Sequence, residues 1–194
     1  MYKIVFSEPS LPAIDLAFVI GASGSNADRV FILMKGTVNS IISTYGTSRI
    51  RYSLITFSAT TIKQIDFLDN TNSVDALKAL VQNMARRPGD LMLDKALSEA
   101  KKLFSSEGAR ANARKIVVVI VDKKSSAVEG DTRAAARSLE DARIRVVPVA
   151  FGPEVDASEI RLLTPNRGNI VFSRLNEDAT NIARNIMVKV LKGV

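Results

Sequence analysis

Two stretches of this chain, Ile14-Asp15-Leu16-Ala17-Phe18-Val19-Ile20 and Ile116-Val117-Val118-Val119-Ile120-Val121, are apolar almost without a break over the length of a strand. A strand with one wet face alternates polar and apolar residues, whereas an unbroken run needs apolar matter on both faces. That requirement predicts a parallel sheet sandwiched between helices. The first run empties into Gly21-Ala22-Ser23-Gly24-Ser25, a small, hydroxyl-rich loop ahead of a helix. Open parallel sheets bind ligands at the carboxyl ends of their strands, so this loop marks the ligand end.

The rest of the pattern alternates in the same way. A helix is predicted over 26–45, with Val30, Leu33, Met34, Val38, Ile41 and Ile42 on one stripe, and a strand over 51–57. The segment 60–67 follows that strand after only Ser58 and Ala59. This link is too short for a parallel crossover, so 60–67 is expected as an antiparallel edge strand. Helices over 73–84 and 91–104 flank an interhelical loop, Ala85-Arg86-Arg87-Pro88-Gly89-Asp90. Beyond it, strands are expected over 115–121, 144–151 and 169–172, with helices over 132–142, 157–163 and 176–191. Gly36, inside the first helix, predicts close packing against the sheet or a small kink. The fold class is α/β: a doubly wound, Rossmann-like, six-stranded and mostly parallel sheet with one antiparallel edge strand and helices on both faces. Residues 1–12 read as a proline-punctuated lead-in without the basic start and cleavage pattern of a signal peptide, and 13–194 as a single domain.

Composition excludes several kinds of chemistry. The 194 residues contain no histidine and no cysteine, so Ser-His-Asp and Cys-His catalysis, Cys/His zinc sites and disulfides are ruled out within the chain. No apolar run approaches the roughly 20 residues of a membrane span. The balance of 27 basic to 20 acidic side chains, a net charge of +7, favours an acidic partner. The basic residues come in scattered pairs, and with three Tyr and no Trp there is little to stack on bases, so nucleic acid is not expected. A phosphate cradle at Gly21–Gly24 is not expected either, because the loop matches neither GxGxxG nor GxxxxGK[ST]. Ser23 lacks both the histidine base and the G-x-S-x-G setting of a hydrolase nucleophile.

A doubly wound sheet brings the loop 21–25 to face Asp122-Lys123-Lys124-Ser125-Ser126 across the switch point, with the interhelical loop as third contributor. Four groups of residues carry a resemblance here. They are Ser23-x-Ser25 after the first strand, the strand Arg51-Tyr52-Ser53-Leu54-Ile55-Thr56-Phe57-Ser58, the apolar strand ending in Asp122, and Ile144-Arg145-Val146-Val147-Pro148-Val149-Ala150-Phe151-Gly152. Together they resemble the von Willebrand factor type A (vWA, integrin I-like) domain, over about 14–191.

The resemblance implies a metal-ion-dependent adhesion site. In it Asp-x-Ser-x-Ser, an interhelical threonine and a second Asp hold Mg²⁺ or Mn²⁺, and a partner carboxylate completes the shell. Ser23, Ser25 and Asp122 match that pattern. Gly21 stands in place of the first Asp, and Asp90 and Leu91 fall where the threonine belongs. Losing one carboxylate forfeits an attraction of about 4 kcal/mol at 4 Å in a near-surface dielectric. The metal site is therefore expected to be degenerate, weak or empty, formed from Ser23, Ser25 and Asp122 with Asp90 as a replacement ligand, and no cofactor is expected. Its alternative is structural, with the serines capping the first helix and Asp122 held by backbone N–H groups or a lysine.

Partner binding is assigned to the top rim: Ser23, Ser25, Arg86, Arg87, Asp122, Lys123 and Lys124. The expected function is a non-catalytic protein-interaction or adhesion module of an extracellular-matrix or cell-surface protein, with collagen or another matrix protein as ligand and an extracellular location implied by the resemblance. Two alternatives stand beside it: a module binding polyanions, either sulfated glycan or acidic matrix protein, through the basic rim, and an intracellular scaffold of the same fold.

Overall fold

The computed structural model describes residues 12–24, 28–68 and 73–192. Six strands run through its centre: β1 (Ile14–Gly21), β2 (Ile50–Phe57), β3 (Thr61–Ile65), β4 (Arg114–Val121), β5 (Arg145–Phe151) and β6 (Val171–Ser173). Their order in the sheet is β3-β2-β1-β4-β5-β6. All neighbours pair in parallel except β3, which runs antiparallel to β2 at the edge with a register shift at Leu54/Ile55. The two apolar runs are side by side, with Leu16 opposite Ile116 and Ile20 opposite Ile120.

Alternation along these strands divides the core. Leu16, Phe18 and Ile20 face helices α1 (Arg29–Tyr45), α2 (Val74–Gln82) and α6 (Ala179–Leu191), with Met34, Val38, Leu77 and Ile186 in the same cluster. Ala17 and Val19 face the opposite layer of α3 (Leu93–Leu103), α4 (Glu129–Asp141) and α5 (Ala157–Leu162). Every residue of β1 is buried, so neither face of this central strand tolerates alternating polarity. Among the described residues no helix is long and apolar enough to cross a membrane.

Helix boundaries follow local caps. α1 starts at Arg29, where the Asp28 carboxylate accepts the Val30 N–H at 2.8 Å; the expected start at Asn26 lies outside the described residues. α6 begins at Ala179 rather than 176 because Asp178 accepts the N–H groups of Thr180 and Asn181. α3 begins at Leu93 rather than 91, since the Leu91 carbonyl is engaged across the molecule by Ser125 and Ser126. Gly36 serves helix-to-helix contact and not the sheet: a Cβ there would lie 3.3 Å from that of Ala179. All of the 1–12 lead-in except Pro12 lies outside the described residues.

Candidate functional site

β1 pairs with β2 on one side and β4 on the other, so the chain leaves the sheet in opposite directions at the β1/β4 boundary and a crevice opens above it. The β1–α1 loop and the α2–α3 loop close over this crevice by main-chain pairing. The Arg87 N–H donates to Ala22 O at 2.8 Å, and the Gly24 N–H to Arg87 O at 3.2 Å. The Ser23 hydroxyl donates to Gly89 O. Gly89 holds φ +108°, and a Cβ there would come within 2.9 Å of the Ala59 side chain, so only glycine fits this turn.

This pairing aims Arg86 inward. Its side chain is only 1% exposed. The guanidinium donates to the Asp122 carboxylate and to the Ser23 carbonyl, lies 3.1 Å from an Asp28 carboxylate oxygen and sits 4.9 Å above the centroid of the Phe31 ring. A planar cation with several donors is suited to hold two carboxylates and a carbonyl in this way while stacking on an aromatic face. Asp122 is itself nearly buried, its side chain 8% exposed. One of its oxygens meets Arg86, whereas Oδ1 is buried without a hydrogen-bond partner among the described residues.

The residues named from sequence thus separate. Ser23, Arg86 and Asp122 converge on the crevice, with Arg86 as an internal cation and not part of an exposed basic rim. Arg87 is partly exposed and leans on the β2 end, 3.3 Å from Thr56 Oγ1. Lys123 is partly exposed; Lys124 is exposed and pairs with Asp156 at 3.1 Å. Asp90 is exposed on the loop. Ser25 lies outside the described residues. Two contributors escaped the sequence reading, Asp28 and Phe31. Asp28 was legible as an N-cap directly before a helical stripe; its second role as counter-ion to Arg86 had no sequence signal.

The floor under the neighbouring loop is a second fixed point. The Ser125 hydroxyl donates to Leu91 O at 2.7 Å and accepts the Leu93 N–H at 3.2 Å, while the Ser125 N–H donates to Glu159 Oε2 at 3.0 Å. Burial pushes the Glu159 carboxyl above the ordinary glutamate range, opposed by the Ser125 N–H bond. Nearby, hydrogen bonds from the Ser158 hydroxyl and N–H, together with Lys124, hold the Asp156 carboxyl well below the usual range.

Among the described residues the donors at the crevice do not form a cation cage. Among the described residues no group of three or more acidic, His or Cys side chains converges. The two carboxylates that do approach one another, Asp28 and Asp122, are joined by a guanidinium. Mg²⁺ needs near-octahedral oxygen ligands and dehydrates reluctantly, and it would have to displace a buried positive charge here.

A doubly wound sheet with one antiparallel edge and a serine-bearing loop facing an Asp across the β1/β4 switch point defines a Rossmann-like domain. The von Willebrand factor type A domain model matches residues 15–185, and the chain belongs to that family. It is 28% identical over 142 residues to the mouse (Mus musculus) collagen alpha-4(VI) chain and 30% identical over 148 residues to mouse matrilin-1. These alignments take in 72% and 74% of this chain but only 6% and 29% of those proteins. Proximal thread matrix protein 1 from the mussel byssus superposes with a TM-score of 0.82 at 16% identity, over 93% of this chain and 48% of that one. A structure of the same mussel protein with a zinc-occupied MIDAS motif superposes at 0.78, also at 16% identity, over 92% of this chain and 47% of that one. At that identity the likeness shows the fold, and the zinc belongs to the mussel protein.

Proposed function

We propose that this vWA domain is a non-catalytic protein-interaction module of an extracellular-matrix or cell-surface protein, engaging its partner through the loops at the carboxyl end of the sheet without a bridging metal ion. The observation that carries this reading is the Arg86 guanidinium at the centre of the crevice, bound to Asp122 and Asp28. It supplies the positive charge that the carboxylates present there would otherwise take from a divalent cation. Membership of a family whose relatives here include a collagen chain and a matrilin supports the matrix setting.

On this reading the contact surface is the rim around the Arg86 guanidinium: Arg87 on one side, Lys123 and Lys124 on the other, with Ser25 assigned to it from sequence, while Ser23, expected there too, is buried with its hydroxyl on Gly89 O and fastens the loop instead. Arg86 contributes by holding the loops in place and not by touching the partner. Inward placement of Arg86 also leaves fewer cations on the rim, which favours a protein ligand over a polyanion there.

The test is binding to immobilised collagen, the matrix ligand expected from the family, followed by surface plasmon resonance in Mg²⁺ and in EDTA. Binding equal in both buffers and lost in a Lys123→Glu/Lys124→Glu variant is the expected result. Binding abolished by EDTA overturns the metal-free reading, and binding intact in the double variant removes that surface.

A further inference from the structure

At the end of the molecule opposite the crevice, α4, the start of β5 and the segment after α5 enclose a groove of about 530 Å³. Its floor is apolar, formed by Ala136, Ile144, Val146, Leu162 and Leu163. Five arginines, at 133, 137, 143, 145 and 161, line it with a single carboxylate, Glu140. We propose that this groove is a second interaction site, and that its occupant is an acidic peptide segment of a partner protein carrying an apolar side chain between carboxylates.

The arginines differ in how far they are already committed. Arg145 donates to the Lys192 carbonyl at 2.8 Å and to the Val190 carbonyl, closing the carboxyl end of α6, so it forms a fixed end wall. Arg133 pairs with Glu129 at 2.7 Å one helical turn away, an exposed pair of the kind that exchanges readily. Arg137, Arg143 and Arg161 are exposed, and their side chains have no hydrogen-bond or ion-pair partner among the described residues. Three guanidiniums therefore face a common space with their donor forks open. That fork matches carboxylate geometry with two parallel N–H···O bonds.

Arg143 adds an independent point. It is the one non-glycine among the described residues with positive φ, +57°, at the turn between α4 and β5. The turn is closed by the Arg143 N–H to Glu140 O at 2.8 Å and the Ile144 N–H to Leu139 O at 2.9 Å. Glycine or asparagine occupies such a position at lower cost, and an arginine held there is an outlier that points to use of its side chain.

The floor decides between acidic ligands. A sulfated glycan would pair with the arginines but bring nothing to the buried apolar surface between them. A peptide supplies both, with an apolar side chain on Ile144, Leu162 and Leu163 and carboxylates on the walls. The volume lies within the range of pockets that enclose most of a small ligand. Because the groove is at the amino end of β5, it is separate from the rim proposed above and can be occupied together with it.

The probe is a fluorescein-labelled hexapeptide of four glutamates around a central leucine–phenylalanine pair, titrated with the 194-residue chain in about 150 mM salt and read by anisotropy. Saturable binding is expected. It should weaken more than about tenfold in Arg137→Glu/Arg161→Glu, weaken less in Arg137→Lys/Arg161→Lys, and stay unchanged in Lys123→Glu/Lys124→Glu. Replacing the leucine and phenylalanine by serine should weaken it severalfold. Circular dichroism checks that each variant is folded, which the exposure of both arginines favours. The proposal is overturned by the absence of peptide binding, by equal binding to the charge-reversed variant, or by a heparin hexasaccharide that binds where the peptide does not. Loss of peptide binding in the Lys123/Lys124 variant alone would place the acidic ligand on the rim and equally overturn it. Failure here leaves the collagen result at the rim untouched, so the two readings fall separately.

Discussion

Two arginine–carboxylate pairs lie at opposite ends of the central strands, and they are built differently. At the lower end Asp15 is completely buried, and both its oxygens are satisfied by one residue: Oδ2 by the Arg110 N–H at 2.6 Å and Oδ1 by the Arg110 guanidinium at 2.8 Å. The same guanidinium also donates to the carbonyls of Ile14 and Arg49. At the upper end Arg86 is divided among Asp122, Asp28, a carbonyl and an aromatic face, and Asp122 keeps one buried oxygen without a partner among the described residues. A closed pair with both oxygens engaged is a structural rivet. A shared cation that ties two loops and a helix start together is a junction, because one substitution there frees several partners at once.

Substitutions can break that contrast in order of size. Arg110→Ala should cost most, about 3–5 kcal/mol, because it strips the side chain from a carboxylate with no access to water. Urea unfolding measures it, and a loss below that of the upper pair would invert the comparison. Arg86→Ala should cost less, about 3 kcal/mol at the low end of that range, since of its two carboxylates only Asp122 stays buried while Asp28 is 35% exposed and can hydrate. The same change should also open the crevice. Gly21→Asp combined with Arg86→Ala restores the family's missing carboxylate where a Cβ meets only ordinary contacts, 3.4 Å from Leu91 and 3.5 Å from the Ile120 carbonyl. Calorimetry should then register one Mn²⁺ site in the double variant and none in the parent chain; a site in the parent would show that Arg86 yields to metal.

Ser125→Ala tests whether the upper loops depend on their own fastening. It leaves the Leu93 N–H without its acceptor and should cost about 1–2 kcal/mol in the same unfolding assay. The smallest effect concerns pH. A carboxyl whose value is raised in the folded state binds its proton more tightly there, so folding is favoured at low pH and the advantage fades as pH rises from the unfolded value of about 4.3 through the folded one. Glu159→Gln should remove that slope while keeping an acceptor for the Ser125 N–H. Parallel stability curves for the two proteins from pH 4 to 7 would deny Glu159 the role.

Much of the fold could be read directly from residues. Apolar runs as unbroken as 14–20 and 116–121 leave a buried parallel strand as the economical reading, and the two-residue link at Ser58-Ala59 forces an antiparallel edge. Boundaries set by distant partners were less legible: nothing near Leu91 announces that its carbonyl will be taken by Ser125, 34 residues away. The convergence of Ser23 and Asp122 followed from the switch-point rule. The direction of Arg86 did not follow, because a sequence gives the position of a charge on a loop but not whether its stem turns up into water or down into a crevice. Gly21 and Leu91, standing where the resemblance places ligating side chains, were the available hint that Asp122 would find its positive charge within the chain. The arginine groove left no local signature, since Arg133, Arg137, Arg143, Arg145 and Arg161 are spread over two helices, a turn and a strand.

The Asp15–Arg110 rivet bears on how the chain is made. Its partners are 95 residues apart, and the central strand that carries Asp15 needs β4, beyond Arg110, as its second neighbour. At ribosomal rates of roughly 5–20 residues per second, Asp15 waits on the order of 5–20 s for its counter-charge to be synthesised. Through that interval β1 carries a carboxylate whose counter-charge does not yet exist, so burying the strand becomes favourable only once the second half has been made.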